Sequence, residues 1–125
     1  MNDRWDRSTL DAIDRAGELR ISTTRRDGTE RAPTPIWSVV VDDELYVRSH
    51  YGDRGAWYRA ARARGVGRIA AGGITAAVTL EPAVGGSELD DRIDAAYTAK
   101  YRGSAYLAPM LSSSARAAVL RIRPQ

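Results

Sequence analysis

The chain has 125 residues, 43% of them hydrophobic, enough for one compact domain with a buried core and too few for two. It contains no cysteine, which excludes disulfide frameworks, thiolate metal sites and cysteine nucleophiles together and fits a reducing compartment. Its 19 Lys+Arg against 16 Asp+Glu leave a small basic excess, scattered rather than blocked, that names no polyanionic partner.

No basic-then-apolar leader is present, and no apolar run approaches the roughly 20 residues of a membrane helix. The expectation is therefore a cytoplasmic protein forming a single domain over residues 1–125. Lys100 is the only lysine, so the basic character is almost wholly arginine. Arginine favours planar pairing with phosphate or carboxylate, although a GC-rich genome gives the same bias.

In chain order, the first element reads as a helix with Ser8 as its cap and Asp11 completing a capping box. Leu10, Ile13 and Ala16 form its apolar stripe, and Gly17 ends it. A strand follows over 19–24 with Leu19, Ile21 and Thr23 on one face, and Asp27-Gly28 marks a hairpin turn. The second strand is expected to return from Glu30 to Val41. Its end is apolar on both faces, which predicts a strand covered outside by a helix or a second subunit. Asp42-Asp43-Glu44 supplies the next turn, and 45–49 form the third strand.

Beyond Gly52 the period becomes helical. Asp53 is the expected cap, Ala56, Trp57, Ala60 and Ala61 the inward face, and Gly65 the stop, while Arg54, Tyr58 and Arg62 share one ridge. Two strands, about 68–71 and 74–80, flank the Gly72-Gly73 turn. Ser87 with Asp90 reads as a capping box opening a helix that carries Leu89, Ile93, Ala96 and Tyr97 on one face. A short piece around 106–111 and a last strand through Ala118, Leu120 and Ile122 close the chain. This order predicts a mixed α+β architecture: a small barrel of about six strands with three to four flanking helices.

Several motifs have bland readings that outweigh the sharp ones. The glycines of Gly65-Val66-Gly67 imitate a dinucleotide fingerprint, but a helix precedes them and a strand follows, the reverse of what that motif needs. His50 beside Ser49 is not a dyad, because neighbouring strand residues point to opposite faces, and one histidine without cysteine makes no ordinary zinc site. It reads as a solvated or cofactor-adjacent imidazole. Asp42-Asp43 and Asp90-Asp91 read as turn and helix-start carboxylates. No catalytic constellation and no metal site is expected. What does converge is a strand end, Arg48-Ser49, followed by a turn that brings Arg54 to a helix start, where amides and guanidinium groups favour an anion.

The segments Arg31-Ala32-Pro33-Thr34-Pro35-Ile36-Trp37, Asp43 through Ser49 and Ala56-Trp57-Tyr58-Arg59 resemble the flavin-binding split-barrel superfamily, which includes pyridoxamine phosphate oxidases and deazaflavin-dependent nitroreductases. So do Asp94 to Tyr97, Lys100-Tyr101 and the stretch from Ala115 to Arg121. The resemblance implies a split β-barrel, a homodimer with its cofactor at the subunit interface, and FMN or the deazaflavin coenzyme F420 as that cofactor. By the same resemblance, Arg48, Ser49 and Arg54 are phosphate candidates, Arg31 and Trp37 lie nearer the ring, and Trp57 and Tyr58 belong to the cofactor site. The function so implied is hydride transfer between the cofactor and a small molecule. A ligand-binding or dimerisation barrel that has lost its cofactor is the first alternative. An oligonucleotide-binding barrel is the other, since the chain is basic with aromatic strands.

Overall fold

The computed structural model describes residues 4–83 and 85–125. Three helices dominate the outside: α1 (Arg7–Arg15), α2 (Ala56–Arg64) and α3 (Gly86–Lys100), with short α4 (Leu107–Met110) and α5 (Ser113–Ala117) near the end of the chain. Seven strands, β1 (Leu19–Thr23), β2 (Thr34–Ile36), β3 (Ser38–Val41), β4 (Glu44–Arg48), β5 (Val66–Ala71), β6 (Ile74–Pro82) and β7 (Val119–Pro124), form one sheet.

The sheet order is β2-β1-β5-β6-β7-β4-β3, and every pairing is antiparallel. Its two edge strands, β2 and β3, are consecutive in the chain with Trp37 alone between them. A sheet whose opposite edges are joined by one residue has to curl on itself, so the result is a mixed α+β barrel, nearly closed, with an unsealed seam at Trp37. Expecting one unbroken second strand gave six strands instead of seven. The break follows from pairing: 34–36 lie against β1, whereas 38–41 lie against β4. Pro33 and Pro35 also lack the amide a longer ladder would use, which confines this stretch to an edge.

The β3–β4 connection is a two-residue turn in which Asp42 and Asp43 both take positive φ, 51° and 64°. Aspartate is among the few residues besides glycine that tolerate this geometry, which matches the twist of the strands it joins. Arg7 reaches Asp43 at 2.7 Å and Arg92 forks onto both oxygens of Asp42, so these carboxylates serve the fold.

All three expected helix caps move. Asp6, not Ser8, opens α1: its Oδ1 accepts the Thr9 amide at 2.8 Å and the Ser8 hydroxyl at 3.0 Å, and the amide bond holds the Asp6 carboxyl below its usual range. Residues 52–54 form a separate 3-10 turn, so α2 is capped by Gly55 rather than Asp53. α3 begins at Gly86, which leaves Ser87 inside the helix. At the other end of α2, Gly65 does stop the helix, at φ 73° with its amide on Ala61 O. Gly67 lies in β5, where a Cβ would come within 2.6 Å of Ser22 O. The dinucleotide-like glycines are thus a helix stop and a close strand approach.

The core has two compartments. Leu19, Ile21, Leu45, Val47, Ile69, Val78, Leu80, Leu120 and Ile122 fill the barrel, joined by Leu10 and Ile13 of α1 and Tyr58 and Ala61 of α2. Outside it, Val39, Val41 and Tyr46 pack with Ile93 and Tyr97 of α3, Met110 and Val119. The doubly apolar β3 is therefore explained within one chain: Val40 faces the barrel, and α3 covers Val39 and Val41.

Candidate functional site

The end of β4 carries the chain's most unusual buried side chain. β4 alternates, sending Leu45 and Val47 into the barrel and Tyr46 outward. Arg48, next in turn for the outer side, is 1% exposed. Its Nη1 donates to the Asp94 carboxylate and to Met110 O at 3.0 Å, and its Nη2 donates to Asp90 O at 2.9 Å. The guanidinium lies 5.6 Å from the centre of the Tyr97 ring. Arg116 of α5 shares Asp94 and also reaches Asp91 at 3.1 Å. One carboxylate thus holds a buried and a half-buried arginine, and only Arg48 Nε is left with no acceptor.

α3 also fixes the seam. Tyr97 accepts the Arg48 amide at 3.0 Å and donates to Trp37 O at 3.2 Å. Tyr101 accepts the Ser38 amide and donates to Gly17 O at 3.0 Å, while Lys100 donates to Ser38 O at 2.8 Å. Burial pushes the Tyr101 hydroxyl up to about 12 and the Tyr97 hydroxyl further in the same direction. Trp37 lies flat on Tyr101, with ring centres 3.8 Å apart and planes 4° from parallel, so its indole is held rigidly at the opening of the barrel.

In front of this wall opens a cleft of about 750 Å³, within the usual range of small-molecule sites. The seam contributes Thr34, Pro35, Ile36 and Trp37. The end of β4 and the turn after it contribute Arg48, His50 and Tyr51. α2 contributes Gly55, Ala56 and Trp57 at its start, and the α4 region Tyr106 and Met110. Trp57 is braced edge-on by Tyr58, and His50 meets the Tyr51 ring edge-on at 4.7 Å. The imidazole has no hydrogen-bond partner among the described residues.

The α2 side differs chemically from the α3 side. No side chain caps α2, and its first backbone bond runs from the Arg59 amide to Gly55 O. The amides of residues 56–58 therefore precede the helical ladder and present partial positive charge. Beside them lies Ser49, fully buried, whose hydroxyl has no hydrogen-bond partner. The two are in close contact, because a Cβ on Gly55 would collide with Ser49 Oγ. Arg54, exposed at the end of the 3-10 turn, makes no ion pair among the described residues.

Of the seven residues singled out in the sequence, Trp37, Arg48 and Trp57 line the cleft together. Ser49 lies behind Gly55, and Arg54 stands one residue before it. Tyr58 instead packs in the barrel core with its hydroxyl accepting from Arg62 at 3.1 Å, and Arg31 is exposed in the loop before β2. Tyr51, Tyr106 and Gly55 lacked any periodic signal. The sequence cue for the two tyrosines is that each is a lone large ring inside a Gly/Ser-rich turn, with no stripe to bury it.

An open-seamed antiparallel barrel with a cleft at the seam defines a class, the split barrels, and solved structures agree. A putative pyridoxamine 5′-phosphate oxidase from Listeria innocua superposes with a TM-score of 0.63 at 11% identity, over 94% of this chain and 90% of that one. A putative 5-nitroimidazole antibiotic resistance protein from Bacteroides thetaiotaomicron gives 0.58 at 15% identity, over 98% and 81%. A pyridoxamine 5′-phosphate oxidase-related, FMN binding protein from Nostoc punctiforme gives 0.51 at 13% identity, over 97% and 79%. The chain shares the split-barrel fold of these proteins. The chain belongs to the family described as an uncharacterized protein conserved in bacteria (DUF2255), whose model matches residues 9–122. No curated protein matches it. Among the described residues, no helix is long and apolar enough to cross a membrane, and no cluster of three or more His, Cys, Asp or Glu could hold a metal.

Proposed function

We propose that the cleft binds a flavin, either FMN or the deazaflavin coenzyme F420, and that the protein is an oxidoreductase. It would pass a hydride between that ring and a small molecule, acting as a homodimer in the cytoplasm. The observation that carries this reading is the pairing of aromatic walls with an anion-ready end. Trp37 and Trp57 flank a cleft of about 750 Å³. At its α2 side an uncapped helix start adjoins a buried hydroxyl without a partner. The FMN binding of the Nostoc protein, which shares the fold, supports it.

Each residue then has a task. Trp37 and Trp57 hold the ring. Ser49, the first amides of α2 and Arg54 hold the phosphate. Arg48 is a wall rather than a fork, since both its terminal nitrogens are engaged. Arg31 and Tyr58 are outside the lining and have no part in this reading. The His50 imidazole lines the cleft beside Tyr51. A bound flavin supplies the hydride chemistry itself, so the chain needs little acid–base machinery beyond orientation and exclusion of water.

One observation favours a second reading, a barrel that has lost its cofactor and binds another ligand without catalysis: among the described residues, the only arginine lining the cleft is engaged by Asp94 and two carbonyls. Absorbance and fluorescence titrations with FMN and, separately, with the deazaflavin coenzyme decide between them. Saturable binding of either supports the oxidoreductase; binding of neither leaves the ligand-binding barrel. Sedimentation of the same samples tests the homodimer.

A further inference from the structure

Two side chains stand out on the surface. Tyr51 and Tyr106 are the exposed large hydrophobics among the described residues, 72% and 68% open to solvent. They come from separate parts of the chain, Tyr51 just before the 3-10 turn and Tyr106 at the start of α4, yet both line the same cleft. Scattered exposed rings need no explanation, but two rings from distant segments of the chain that line one cleft do.

From this rim we infer an outer subsite that takes the flat face of a neutral aromatic molecule, the substrate, between Tyr51 and Tyr106. The inference rests on the flavin reading for placing that molecule beside a bound ring, and it adds the substrate's chemical class. Two features fix the class. The rings offer apolar faces, and tyrosine pairs with aromatic partners through such faces with its hydroxyl left in water. His50 meets the Tyr51 ring edge-on, with ring centres 4.7 Å apart.

Charge decides the rest. Among the described residues, Arg48 is the one permanently charged residue lining the cleft, and its terminal nitrogens are already taken by Asp94, Asp90 O and Met110 O. Among the described residues, no carboxylate lines the cleft. A cationic substrate would find no counter-ion there. An anionic one would find its partners only at the α2 start, which the proposed phosphate occupies. A neutral ring loses least on leaving water for this rim.

The test uses FMN-loaded protein and three probes of one size: 2-naphthol, 2-naphthoate and 2-naphthylmethylammonium, followed by quenching of intrinsic fluorescence and by calorimetry. Wild-type protein should bind 2-naphthol roughly tenfold or more tighter than either charged probe at neutral pH, and the double variant Tyr51→Ala/Tyr106→Ala should lose on the order of tenfold in 2-naphthol affinity. Tyr51→Phe/Tyr106→Phe should keep it, since the faces remain. Both tyrosines are exposed, so the fold should survive, with circular dichroism as the control. Equal affinity for the charged probes, or no loss in the alanine variant, overturns the inference. It is also overturned if the alanine variant turns a dimer into a monomer while 2-naphthol binding persists, because a second copy would then be what covers the rim. Failure of FMN itself to bind is a separate outcome: it removes the flavin reading and with it the placement of this subsite.

Discussion

Arg48 and Ser49 are neighbours in the chain, and they leave β4 toward opposite halves of the molecule. On the α3 half, nearly every buried polar group is matched: Arg48 meets Asp94 and two carbonyls, Tyr97 bridges the Arg48 amide to Trp37 O, and Tyr101 and Lys100 close on Ser38. On the α2 half, a helix starts without a side-chain cap beside a buried hydroxyl with nothing to bond. A satisfied half fixes geometry, and an unsatisfied half next to a cleft keeps binding capacity in reserve.

The largest expected effect breaks the satisfied half. Asp94→Ala strands a fully buried guanidinium with two carbonyl acceptors, and removing one member of such a pair costs about 3 kcal/mol. That is the low end of the range, because the Asp94 side chain is itself 26% exposed. Urea denaturation measures it, and a loss below about 1 kcal/mol would mean that water already reaches Arg48 and that the contrast between the halves is false. The paired change Arg48→Met with Asp94→Leu should recover most of the loss, since no charge is left unmatched.

Gly55→Ala should cost less and act on the other half. Gly55 has φ −62°, which any residue adopts, so the backbone offers no objection. The clash is with Ser49 Oγ alone. Overpacking of this kind costs about 1 kcal/mol, and FMN affinity should fall roughly tenfold as the hydroxyl is pushed from the helix start. Adding Ser49→Ala should restore the stability but not the affinity. Recovery of both would remove Ser49 from the site.

A smaller effect appears at alkaline pH. The folded Tyr101 hydroxyl titrates near 12, above its ordinary value of 10. A pKa raised by folding gives stability that is complete below the unfolded value and lost as pH climbs from about 10 through 12. Tyr97 adds to the fall in the same sense, whereas Lys100, held below its usual range by desolvation, opposes it. Thermal melts between pH 8 and 11.5 should therefore slope downward. Tyr101→Phe should start less stable, having lost the bonds to Ser38 and Gly17, but decline less steeply.

How much of this was legible in the sequence depends on whether the signal was local. Periodicity located α1, α2, α3 and the strands, with β2 and β3 merged into one, and the alternation of Ile74, Ala76, Val78 and Leu80 points into the barrel. The caps were misplaced because Ser8, Asp53 and Ser87 are each acceptable caps, and the choice turned on where the preceding chain exits. The split at Trp37 was hidden because changing partner strands is a tertiary event. Of the residues named for the site, Trp37, Arg48 and Trp57 line the cleft and Ser49 lies against Gly55; the strand end running into a helix start was visible in sequence, whereas the two tryptophans came from the resemblance. Nothing local distinguished an arginine that would meet a phosphate from one that meets Asp94, 46 positions away.

The smallest change in stability belongs to the sharpest test of the two halves. Ser49→Ala removes a buried hydroxyl that has no partner, so it gives up no hydrogen bond and relieves the desolvation of an unmatched group. Unfolding free energy should stay within about 0.5 kcal/mol of wild type or rise slightly. FMN affinity should nonetheless drop several-fold, because the hydroxyl's only available acceptor or donor is the ligand. A structural serine would behave the opposite way, losing stability while leaving ligand affinity alone. If titration and denaturation follow that second pattern, Ser49 bonds a group in solution that it does not meet in this structure, and the unsatisfied half of the comparison disappears.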